Sequence, residues 1–90
     1  MSAAVVPQEI RDGIVDALVE RPDRDRWRVH PSYVSLRAGY AFAVRYDGML
    51  LPARDIVLHE TTATVTGLKM ATKVFVASLL AEYGERFRGE

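Results

Sequence analysis

The stretch Tyr40–Val57 constrains the fold more than any other. Tyr40, Phe42, Val44 and Tyr46 alternate with Ala41, Ala43 and Arg45, so a strand here presents a large apolar face and a small or charged one. Asp47-Gly48 follows at once. That pair suits a type I′ turn, whose two central residues both need positive φ. Met49-Leu50-Leu51 is a short apolar return, and Pro52 restarts the chain in a new direction. The spacing predicts a two-residue hairpin and therefore an antiparallel element in the sheet.

The flanking segments complete an α+β reading. Val6-Pro7 opens a helix, because a proline in the first turn lacks only a donor that has no partner there. Ile10, Ile14, Ala17 and Leu18 form its apolar stripe, with Glu9, Asp12 and Asp16 towards its positive end. Gly13 costs that helix up to about 1 kcal/mol against alanine, which marks a close packing partner. Arg21-Pro22-Asp23 ends it. Arg24–His30 alternates as a strand, with Arg24, Arg26, Arg28 and His30 on one side and Asp25, Trp27 and Val29 on the other. Pro31 makes this an edge strand or two short pieces. Tyr33–Arg37 reads as a further short strand and Ala38-Gly39 as a turn. Asp55–His59 is open between helix and strand, whereas β-branched Thr62–Thr66 reads as a strand. Thr66 then caps a helix over Lys69–Tyr83 that Gly84 stops.

This gives N- and C-terminal helices packed on a small, mainly antiparallel sheet, with residues 1–90 as one domain. Fixed structure is not expected at Met1–Val5 and Arg86–Glu90. Trp27, Val29, Phe42, Val44, Ile14, Leu18, Val74 and Leu79 are the expected core. The last helix is apolar on two arcs. Val76 and Leu80 share a helical line with Lys69 and Lys73, so they read either as core or as a homodimer or partner surface.

Catalytic chemistry finds little support. There is no cysteine, hence no disulfide framework or thiolate zinc site. His30 and His59 are far apart, and His59-Glu60 has no second histidine at helical spacing, so no metal or cofactor is expected. No phosphate loop, nucleophile elbow or nucleophile–base pair occurs, and the chain is expected not to be an enzyme. No run approaches the ~20 apolar residues of a membrane span and no secretory leader is visible, which makes the cytoplasm the expected location.

Net charge is zero, which argues against a general coat for nucleic acid. Arginine nevertheless outnumbers lysine ten to two. A GC-rich genome produces that bias, and so does a need for guanidinium forks to hold carboxylate or phosphate. Arg24, Arg26, Arg28 and His30, joined by Arg37 and Arg45 and by Tyr33 as a stacking ring, are the candidate partner-binding residues. A charged edge strand guarded against aggregation has the same pattern.

Asp47, Gly48, Arg54, Ile56 and Val57, with the ending Leu79–Gly84, are similar to segments in the N-terminal head domains of modification-dependent HNH restriction endonucleases. The likeness covers under half the chain and lacks that family's glycine pair before the last helix. It implies a DNA-associated accessory module. The expected function is a small non-catalytic protein that covers a surface of a larger protein partner. By analogy of size and composition, this is an inhibitor of nucleic-acid defence machinery carried by a phage or other mobile element, as anti-CRISPR proteins are. Direct DNA or RNA binding through the arginine-rich strand is the alternative, and a structural subunit of a homo-oligomer is a third.

Overall fold

The computed structural model describes residues 6–88. Its elements are α1 (Gln8–Val19), a 3-10 turn (Arg24–Arg26), β1 (Trp27–Val34), a second 3-10 turn (Ser35–Arg37), β2 (Gly39–Tyr46), β3 (Met49–Leu50), β4 (Leu58–His59), α2 (Glu60–Thr66) and α3 (Leu68–Arg88). β2 is the centre of an antiparallel sheet. It pairs with β1 along its whole length, from Trp27 opposite Tyr46 to Val34 opposite Gly39. β3 and β4 share its other edge, Tyr46 facing Met49 and Tyr40 facing Leu58. The hairpin is as expected, with Asp47 at φ 52° and Gly48 at φ 82°. The class is α+β.

Alternation along the strands decides which face the helices cover. Trp27, Tyr40, Val44 and Leu58 are buried with Ile10, Ile14 and Ala17 of α1 and Val76, Leu79 and Leu80 of α3. Arg28, His30, Ser32, Ala43 and Arg45 lie on the opposite, exposed face. α1 and α3 run in the same general direction, since Asp16 meets Lys69 at 3.6 Å and Glu20 meets Lys73 at 2.7 Å.

Those two ion pairs correct the reading of α3. Val76 and Leu80 are fully buried, so they are not an oligomer interface. Their helical line faces α1, and the lysines on it reach acids of α1 rather than open solvent. Conversely Val74, expected in the core, is 57% exposed. Ile14, Trp27, Val44 and Leu79 are buried as expected, and Leu18, Val29 and Phe42 are partly buried against them.

Local propensity is overridden elsewhere. Thr62–Thr66 belongs to α2 rather than a strand. Ala63 is buried beneath it, Thr64 Oγ1 donates to the Glu60 carbonyl at 2.9 Å, and Gly67 at φ 102° breaks the helix from α3. β3 and β4 already hold the far edge of β2, so another strand there has no ladder to join. Asp55–Val57 is neither helix nor strand, and Leu58–His59 is β4. Tyr33 and Val34 belong to a continuous β1, and Ser35–Arg37 is a 3-10 turn. Gly84 lies inside α3, which continues through Arg86–Arg88. The expectation for Met1–Val5 and for positions 89–90 falls outside the described residues.

Candidate functional site

Most of the basic side chains are neutralised within the fold. Arg26 lies 3.6 Å from Asp47 and donates to the Tyr46 hydroxyl at 3.2 Å. Arg37 pairs with Asp55 at 2.5 Å, and Arg54 pairs with Glu82. Arg21 pairs with Asp23 at 3.0 Å while its guanidinium stands 5.3 Å over the Trp27 ring. Burial pushes the Asp23 carboxyl up, but the neighbouring Trp27 indole and the hydrogen-bonded Arg21 guanidinium outweigh it and hold it below its ordinary value.

Arg11, Arg24, Arg28 and Arg45 have no carboxylate partner among the described residues, and all four stand around β1. Arg86 is at the far end of α3. Arg11, Arg24 and Arg28 line a groove of about 350 Å³ between α1 and β1, with Asp25 as its one acid. Its apolar lining includes Val15, Leu18, Trp27, Val29 and Pro31.

Arg28 is shared with a second concavity, of about 540 Å³, on the exposed sheet face with His30, Ala43, Arg45 and Leu50. Arg28 and Arg45 are directly opposite in the β1–β2 register. Like charges so placed cost roughly 0.2–1 kcal/mol. Neither is relieved by an acid. Arg28 donates to the carbonyls of Trp27 (2.9 Å) and Asp25 (3.2 Å), and Arg45 to that of Gly48 (3.3 Å).

The arginine stripe expected from the sequence is therefore divided. Arg24 and Arg26 lie in a 3-10 turn, where period-two alternation does not apply. Arg28, His30 and Arg45 do share the open sheet face. Arg26 turns to the hairpin and Arg37 to Asp55. Tyr33 donates to Glu60 at 3.1 Å and its ring tilts against Tyr40 at 5.3 Å, so it is already engaged inside the fold. Arg11 was not foreseen. It sits beside the α1 stripe with no local pattern to mark it, and only the packing of α1 under β1 brings it to Arg24.

No group of three potential metal-ligating side chains occurs among the described residues, and no single helix there is long and apolar enough to cross a membrane. A third groove, of about 690 Å³, runs along α3 past Ile56, Leu58, Val74, Phe75 and Leu79. Fold and site together define a two-layer α+β domain whose edge strand is ringed by unpaired arginines. Comparison with known proteins gives no matching family model, no similar curated protein and no similar solved structure.

Proposed function

We propose that this is a non-catalytic binding protein that covers an acidic surface of a larger protein. One observation carries the reading. Four arginines without carboxylate partners among the described residues gather around β1, in a chain whose net charge is zero and whose other basic groups are mostly ion-paired. Acids are abundant in the sequence, yet only Asp25 lines the groove that holds Arg11, Arg24 and Arg28. Guanidinium groups held by backbone carbonyls keep donors directed outwards for a partner's carboxylates. Inhibition of nucleic-acid defence machinery, in the manner of anti-CRISPR proteins, is the instance we favour on size and composition.

Direct nucleic-acid binding is the second reading, since phosphate takes the same forks and the hairpin segment is similar to HNH endonuclease head domains. Zero net charge weighs against it, because it supplies no long-range attraction to a polyanion. A homo-oligomeric subunit loses the residues it rested on, Val76 and Leu80, which are interior.

The test is retention of a protein from cell lysate by the wild type, and its loss in Arg24→Glu/Arg28→Glu/Arg45→Glu, set beside a salt titration of binding to random duplex DNA. The expected result is a protein complex that persists as salt rises, with negligible DNA binding at physiological salt. Tight DNA binding that weakens with a log–log slope of roughly 0.9 per contacted phosphate, and is absent in the variant, replaces this reading with the second.

A further inference from the structure

The register shows which backbone groups of β1 face outwards. Leu51 N–H donates to the Val44 carbonyl at 2.9 Å on the β3 side, and Asp47 N–H donates to the Arg26 carbonyl at 2.8 Å on the β1 side. Backbone direction alternates along a strand. Hence Arg45, Ala43 and Ala41 bond β1 through Arg28, His30 and Ser32, whereas Trp27, Val29, Pro31 and Tyr33 turn their backbone groups to the open edge. The Trp27 carbonyl is taken by Arg28. Pro31 has no N–H to offer, and its nitrogen lies where a proline is tolerated. Val29 and Tyr33 keep both groups without a backbone partner among the described residues.

Directly beside this edge is the groove between α1 and β1, where Val15 is 55% exposed and where three of the unpaired arginines stand. We propose that an extended acidic segment of the partner adds to β1 as a further strand. Its backbone bonds to Val29 and Tyr33, its apolar side chains enter the groove against Val15 and Leu18, and its carboxylates meet Arg11, Arg24 and Arg28. This rests on the acidic-partner reading above and names the element recognised. Three guanidinium groups against one carboxylate, Asp25, set the charge of the occupant. A second copy of the chain is a poor one, since it brings a second edge lined by Arg11, Arg24 and Arg28 rather than an acidic one. Main-chain pairing gives such a complex its affinity, and the side chains on one face give it selectivity.

The probe is a synthetic heptapeptide alternating glutamate and valine, capped at both ends, titrated against the full chain. Two further versions carry N-methyl groups on the valines only or on the glutamates only. Because alternate residues face opposite edges, one methylated version should bind at least about tenfold more weakly and the other should not. Val29 and Tyr33 amides should exchange freely in the unbound protein and slow in the complex. Equal binding by all three peptides, still weakened by Arg24→Glu/Arg28→Glu, overturns strand addition and leaves the acidic-partner reading standing. Binding that ignores the arginine changes, no binding at millimolar peptide, or slow exchange of both amides in the unbound protein also overturns the inference. The lysate experiment above tests the underlying reading separately.

Discussion

Gly13 of α1 and Thr72 of α3 meet so closely that a Cβ added to Gly13 stands 2.6 Å from the Thr72 Cβ, and 2.6 Å from the Lys69 carbonyl oxygen. The absence of a side chain on α1 sets the separation of the two helices.

Gly13→Ala is therefore expected to destabilise, although alanine is the better helix former by about 1 kcal/mol. One of the close atoms is backbone, so the helices must part, and overpacking of this kind costs about 1–3 kcal/mol. A urea midpoint that rises on substitution contradicts the close crossing.

Thr72 itself is fully buried and its hydroxyl has no hydrogen-bond partner among the described residues. Valine has the same branched shape without the polar group. Thr72→Val is expected to be neutral or to stabilise by about 1 kcal/mol. Loss of a comparable amount, read from the thermal midpoint, means that the hydroxyl is satisfied in solution.

Val74 and Val76 are two residues apart and opposite in environment, one 57% exposed and the other fully buried. Val76→Glu buries an unpaired carboxylate and should cost upwards of about 3 kcal/mol, whereas Val74→Glu should stay within about 0.5 kcal/mol. Circular dichroism melts of the two variants check this. Equal, small effects return Val76 to the surface.

Alkali should unfold the protein more readily than mild acid. The hydrogen bond to Glu60, then burial, pushes the Tyr33 phenol up. Burial, then Glu60, pushes Tyr40 up, and burial pushes Tyr83 up. A folded-state value above the unfolded one contributes stability that is complete below the ordinary tyrosine value of 10.0 and is lost as pH rises through the raised values. Asp23 is lowered, so its contribution is present above its ordinary 3.8 and is lost as pH falls through the lowered value. Urea midpoints should thus be flat through neutrality and fall above about pH 10. Tyr83→Phe, which also removes the hydrogen bond to the Pro52 carbonyl, should fall less steeply there. An identical alkaline slope in that variant rules out Tyr83 as a contributor.

Much of the fold was legible locally. The Tyr40–Tyr46 alternation, the Asp47-Gly48 turn and the Ile10–Ile14–Ala17 stripe each carry their own periodicity or backbone demand. Of the site, Arg28, His30 and Arg45 were recognisable as outward residues of neighbouring strands. Arg24 and Arg26 were misplaced because three residues of 3-10 turn interrupt the alternation at the entry to β1. Thr62–Thr66 was misread because β-branched residues favour a strand only where a ladder is within reach, and β3 and β4 already hold the β2 edge next to this segment.

The sequence by itself determined the hairpin, the two terminal helices and the α+β class, since those follow from side-chain period and from the φ values that aspartate and glycine tolerate. The tertiary structure alone decided which arc of α3 is interior and which arginines stay unpaired. Both are matters of distance between segments far apart in the chain. Lys69 and Lys73 become interhelical ion pairs only because Gly13 lets α1 close on α3, and Arg11 joins Arg24 only because α1 then lies along β1. Coulomb attraction and close packing act through space, and no local pattern records which distant residue a side chain will meet.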